Sequence, residues 1–138
     1  MCDFMSWIEY NGELYYLTDK QLKDKRGLKL KKYIQQDYKE EIIGHGAIRY
    51  YYDIPNGKGK NVECTDFSTQ KIFPEEIRKK LKLGMITQFG LDCRMLSQSA
   101  LAEYKKIWQF SSAEYEKIRL PAFWDLFKVK KNRSKGWK

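Results

Sequence analysis

A chain of 138 residues with 42% hydrophobic and 33% charged side chains is too apolar for a disordered segment and long enough for one modest core. Its formal net charge of +9 disfavours basic partners and favours phosphate-bearing ones, although solubility alone would account for the same surplus. Three cysteines (Cys2, Cys64 and Cys93) without a CxxC spacing argue against a disulfide framework, and no apolar run approaches the roughly 20 residues of a membrane-spanning helix. The opening residues lack a basic and then continuously apolar leader, so the expected compartment is the cytoplasm.

Residues 7–17 form two apolar-rich runs around Asn11-Gly12, a pair that supplies the positive φ angles of a tight type I′ turn; they predict a β-hairpin. Thr18 or Asp19 then suits a helix N-cap. The segment from Lys20 to Gln36 is strongly basic, with Leu22, Leu30, Tyr33 and Ile34 at stripe spacing, and Gly27 is expected to split it into two short helices. Residues 47–54 read as a strand from their Tyr and Ile content, residues 55–59 as a turn, and residues 61–67 as the returning strand. Pro74 opens a helix with Glu75 and Glu76 in its first turn and Arg78, Lys79, Lys80 and Lys82 later, an order that complements the helix dipole, and Gly84 closes it. Residues 85–93 fit a last short strand.

An eleven-residue repeat follows. Ala102, Glu103, Tyr104, Lys106 and Ile107 recur as Ala113, Glu114, Tyr115, Lys117 and Ile118. Eleven residues are close to three helical turns, so equivalent positions return to one face. One amphipathic helix is expected from Leu96 to about Arg119, broken by Pro121, with a short helix burying Phe123, Trp124 and Phe127 beyond it. The repeat reads first as a core-packing helix; as an assembly helix it would use Tyr104, Ile107, Trp108, Tyr115 and Ile118. The last eleven residues carry six basic side chains and no acidic one, the pattern of a solvated tail or of a polyanion-binding arm in which Trp137 stacks on a base.

The expected fold is therefore α+β: a small antiparallel sheet built from hairpins, a long C-terminal amphipathic helix, and short flanking helices. It divides into a core over 1–95, a helical repeat segment over 96–130 and a basic tail over 131–138.

Gly44-His45-Gly46-Ala47-Ile48-Arg49 holds the only histidine. On a strand, His45, Arg49 and Tyr51 would share a face, where a guanidinium fork and an aromatic ring suit a phosphate and a base. Lys58 and Lys60 beside the turn complete this candidate ligand site. Lys29, Lys31, Lys32, Lys130, Lys131 and Arg133 form a candidate patch for nucleic acid or another polyanion. The competing reading of His45 is a turn residue bonded to backbone. As a general base it would need a nucleophile, for which Cys64-Thr65-Asp66 is the one candidate, and no fixed spacing ties the two together. His45, Cys64 and Cys93 are zinc-type ligands without the usual paired spacing, so no metal is expected. The chain has no G-x-x-x-x-G-K-[ST], G-x-G-x-x-G or H-E-x-x-H, and no cofactor is expected.

The Gly44–Arg49 block, the run 62–68 and the Ala-Glu-Tyr-x-Lys-Ile repeats ending in Pro121-Ala122-Phe123-Trp124 resemble a family of small bacterial, prophage and phage proteins. The resemblance spans about two thirds of the chain. It implies no catalytic residues; it implies a mobile-element origin and a role in countering host defence. The expected function is non-catalytic binding of an anionic nucleotide signal or nucleic acid in the host cytoplasm. The alternatives are an inhibitor of a host protein or an assembly subunit, a homo-oligomer among the options, using the repeat helix, and a small hydrolase or transferase centred on His45.

Overall fold

The computed structural model describes residues 4–37, 44–87, 92–110 and 118–138, with 35–37 and 108–110 as backbone alone. The fold is α+β, and the chain forms two compact units that part between Thr65 and Asp66, whereas the sequence suggests a boundary near 95.

In the first unit, strand β1 (Met5–Tyr10) turns through Asn11 and Gly12 into β2 (Glu13–Tyr15). Both turn residues have positive φ, 52° and 77°, as a type I′ turn requires. The pairing is antiparallel, with Ile8 opposite Tyr15 and Tyr10 opposite Glu13. Thr18 caps helix α1 (Asp19–Lys23) through a capping box: its hydroxyl accepts from the Gln21 N–H while the Gln21 side chain accepts from the Thr18 N–H. Helix α2 (Lys25–Asp37) follows after a single residue, Asp24, whose carboxylate accepts from the Gly27 N–H at 2.7 Å. The expected pair of helices is present, but the break falls at Asp24. Gly27 lies inside α2 for a different reason: a Cβ there would come within 2.0 Å of the Gln21 carbonyl oxygen. Leu22, Leu30 and Ile34 are buried, as their spacing predicts.

The expected strand over 47–54 is instead helix α3 (His45–Tyr52). Ala47 and Ile48, with Tyr51 and Tyr52 one turn on, form an i, i+1, i+4, i+5 stripe, and Ala47 and Ile48 are fully buried. Asp53 ends the helix in the left-handed region at φ 55°, and the Ile54 N–H closes back on the Arg49 carbonyl. Strand β3 (Lys60–Cys64) therefore has no strand at 47–54 to pair with. It pairs antiparallel with β1, from Met5 opposite Cys64 to Glu9 opposite Lys60, giving the order β2-β1-β3. From Met5 to Ile8 the central strand is buried on both faces.

In the second unit, helix α4 (Glu75–Lys82) starts after Pro74 with Glu75 and Glu76 in its first turn, and Lys79, Lys80 and Lys82 in its last. Gly84 follows it in the left-handed region at φ 68°. Met85 to Thr87 is not a strand, Cys93–Met95 is a short 3₁₀ turn, and the rest of the strand expected over 85–93 lies outside the described residues. Helix α5 (Gln98–Phe110) begins where the Ser97 hydroxyl accepts from the Ala100 N–H. Leu96 precedes that helix, in an antiparallel bridge with Arg133. Most of the second repeat lies outside the described residues. Helix α6 (Leu120–Lys128) has Pro121 in its first turn and buries Phe123, Trp124 and Phe127.

The segment 131–138 is not a solvated tail. Lys130–Asn132 and Lys135–Trp137 are 3₁₀ turns, and Trp137 is fully buried. Its indole N–H donates to the Phe67 carbonyl, and its ring packs 5.3 Å from Phe73 and 5.5 Å from Phe127. A large amphipathic ring with a satisfied N–H stabilises a core better than a loose end, whatever its charged neighbours suggest.

A candidate anion-binding cleft

Because 45–52 is helical, the proposed triad of His45, Arg49 and Tyr51 does not converge. The His45 Nε2–H donates to the Val62 carbonyl at 3.0 Å, and Nδ1 lies 3.5 Å from Glu63 Oε1, so the ring clamps α3 to β3. Arg49 is buried, and its guanidinium donates to the carbonyls of Pro55 (at 3.0 Å) and Lys58 and to the Asn61 side chain, pinning the turn between α3 and β3. The Tyr51 hydroxyl reaches away to Asp24. Lys58 and Lys60 are exposed, and Lys60 pairs in register with Glu9. Cys64 is buried on β3, while Asp66 belongs to the second unit, where its carboxylate accepts from Ser68 and Arg94. Among the described residues no group of three or more His, Cys, Asp or Glu side chains is placed to hold a metal ion.

Cations gather elsewhere in the first unit. Lys25, Arg26 and Lys29 of α2, with Tyr50 of α3 and Asp53 at its end, line an open-sided cleft of about 510 Å³. Among the described residues that line it, three cations face one carboxylate, that of Asp53. Lys25 and Lys29 stand one helical turn apart and make no hydrogen bond or ion pair with a described residue; like charges at that spacing disfavour the helix by a few tenths of a kcal/mol. Arg26 pairs with Asp53, but both side chains are well exposed, 48% and 78%, so the pair adds little and a competing anion can displace it. The first turn of α2 holds no acidic side chain of its own, and the Asp24 carboxylate just before it caps the Gly27 N–H and offsets part of the helix dipole.

The aromatic wall is a stacked pair. Tyr50 stacks on Tyr33 with ring centroids 4.6 Å apart and planes inclined by 13°. The Arg26 guanidinium lies 6.0 Å from the centre of the Tyr51 ring. Burial, and then the Asp24 carboxylate that accepts its proton, push the Tyr51 phenol up to about 12, so at neutral pH it is a neutral donor that adds no negative charge beside the cleft.

Of the side chains expected to bind polyanions, only Lys29 lines this cleft; Lys31 is half-buried and Lys32 exposed. Lys130, Lys131 and Arg133 are in the second unit, the first two exposed and Arg133 buried. Of the assembly candidates, Tyr104 is buried edge-on against Phe123, Ile107 is half-buried and Ile118 exposed, while Tyr115 and the Trp108 side chain lie outside the described residues. Lys25 and Arg26 belong to the basic segment the sequence shows, but their grouping with Tyr50 and Asp53 is not legible from a strand over 47–54; a helical period over 45–52 places Tyr50 on α3 and Asp53 at its end.

Set against family models, curated proteins and solved structures, the chain matches none. No helix among the described residues is long and apolar enough to cross a membrane.

Proposed function

We propose that the chain is a non-catalytic binding protein for a phosphate-bearing ligand, a nucleotide or a nucleic-acid segment, held in the Lys25–Lys29 cleft of the first unit. The observation that carries the reading is the pair of ammonium groups, Lys25 and Lys29, without a partner among the described residues, beside the stacked Tyr50 ring. A phosphate between the lysines relieves their repulsion, and a base gains a flat apolar face. The Arg26–Asp53 pair supplies a donor and an acceptor that can be re-partnered at low cost. Nothing in this scheme makes or breaks a bond, and His45 is committed to holding β3. The resemblance to phage and prophage proteins extends the proposal to sequestration of a host nucleotide signal.

The test is calorimetric titration of the full chain with a panel of mono- and dinucleotides and a short single-stranded oligonucleotide. Binding that falls by about tenfold or more in Lys25→Met and in Lys29→Met, with the far-UV spectrum unchanged, supports the cleft. Salt dependence separates the ligand classes, since contacts along a nucleic-acid backbone lose affinity steeply with added salt. Absence of binding across the panel, or binding indifferent to both substitutions, overturns it.

A further inference from the structure

The Arg26–Asp53 pair brings hydrogen-bonding pattern to the cleft as well as charge. Both side chains line it, both are well exposed, and the Arg26 guanidinium donates to Asp53 Oδ2. The Asp53 side chain has no other hydrogen-bond partner among the described residues. A guanidinium has further N–H donors and a carboxylate further lone pairs, so one bond between them leaves both groups largely unused. Across the pair the remaining capacity runs donor, acceptor, acceptor: an Arg26 N–H and then the two Asp53 oxygens.

The other lining residues decide what meets that pattern. Tyr50 lines the cleft one helical turn before Asp53, with Tyr33 stacked on one face at 4.6 Å. A base stacked on its other face has an edge within reach of the Asp53 carboxylate, because side chains three residues apart on a helix are neighbours. Across the cleft, Lys25 and Lys29 bring two ammonium groups from α2, which match the double charge of a phosphate monoester. The volume of about 510 Å³ falls within the roughly 300–1,000 Å³ of small-molecule sites and admits a mononucleotide.

The Watson–Crick edge of guanine runs acceptor, donor, donor, through its O6, N1–H and N2–H groups, and is the complement of the Arg26–Asp53 pair. Adenine offers a donor and then an acceptor, cytosine a donor and two acceptors, and uracil a donor between two acceptors, so each sets an acceptor against the carboxylate. We infer that the cleft is specific for guanine nucleotides. The Arg26–Asp53 pair reads the base edge, Tyr50 stacks on the ring, and Lys25 and Lys29 hold the phosphate. This assignment rests on the phosphate-binding role proposed for the cleft and narrows it to one base.

The probes are the 5′-monophosphates of guanosine, inosine, adenosine and xanthosine, titrated calorimetrically into the full chain. Inosine lacks the N2 amino group, and xanthosine carries a carbonyl in its place. The guanosine nucleotide binds the parent about tenfold or more tighter than the inosine or adenosine one. In Asp53→Asn the carboxylate becomes one acceptor and one donor, so the xanthosine nucleotide binds tighter than the guanosine one. Asparagine tolerates the left-handed backbone at φ 55°, and a gain for one ligand is not a symptom of misfolding. Equal affinities for all four in the parent, or an unchanged ranking in Asp53→Asn, overturn guanine specificity; the cleft itself then stands if Lys25→Met and Lys29→Met still weaken binding. Absence of binding by all four overturns both.

Discussion

The Tyr51 hydroxyl donates to the Asp24 carboxylate across 27 residues of sequence, joining the last turn of α3 to the single residue that separates α1 from α2. The same carboxylate caps the Gly27 N–H, so one acidic side chain both orients the basic helix and fixes the tyrosine-rich helix beside it.

This contact has a two-sided pH signature. Asp24 is held below its ordinary value of 3.8, first by the Tyr51 hydroxyl and then by the Gly27 N–H. A depressed carboxylate contributes stability above its unfolded value, and loses it as pH falls through the lower folded one. Tyr51 is shifted the other way, from 10.0 to about 12, so its contribution is full below 10.0 and fades as pH climbs towards about 12. In Asp24→Asn the phenol titrates lower than in the parent but stays above 10.0, because burial, the largest cause, remains. Phenolate absorbance measured against pH checks this; an unchanged midpoint refutes the contact.

Arg49 is a structural residue. Arg49→Met leaves the carbonyls of Pro55 and Lys58 and the Asn61 side chain without their donor and destabilises the first unit by about 3 kcal/mol. Urea unfolding measures the loss. Ligand affinity below the transition stays within about twofold of the parent, as expected for a residue outside the cleft.

Gly27→Ala runs against helix propensity. Alanine would favour an exposed helix position by about 1 kcal/mol. Here its methyl meets the backbone of Gln21 at 2.0 Å and of Leu22 at 2.6 Å, so the helices must separate and the net effect is a loss of about 1–3 kcal/mol. A gain in the melting midpoint would show that the two helices are not this closely apposed.

Trp137→Ala removes a fully buried ring from among Phe67, Phe73 and Phe127 and destabilises the second unit by about 3–5 kcal/mol. Near-ultraviolet circular dichroism and denaturant unfolding follow it. A change below about 0.5 kcal/mol would mean a surface position.

The elements legible in the sequence are those whose signals are local. Asn11-Gly12 dictates its own turn, Thr18 and Gln21 cap each other, and Pro121 starts a helix with Phe123, Trp124 and Phe127 on its buried side. The region 45–54 reads as a strand because tyrosine and isoleucine favour strands on average, while the spacing of Ala47, Ile48, Tyr51 and Tyr52 is helical, and the spacing prevails. Strand alternation would put His45, Arg49 and Tyr51 together, whereas the helix sends Arg49 into a turn, Tyr51 to Asp24 and Tyr50 to the cleft. The burial of the C-terminal segment is hidden for a related reason. Its charges are visible one by one, but the partner carbonyl of Trp137 is 70 residues away.

The placement of Trp137 also orders events during synthesis. The first unit has all three strands once Cys64 has been made, and its sheet can close behind the growing end. The second unit waits: Phe67 and Phe73 emerge early but lack their covering ring until residue 137 leaves the ribosome. In the interval its apolar side chains are open to chaperones and to aggregation, so any treatment that stalls translation just short of residue 137 leaves a closed sheet followed by an uncovered aromatic cluster.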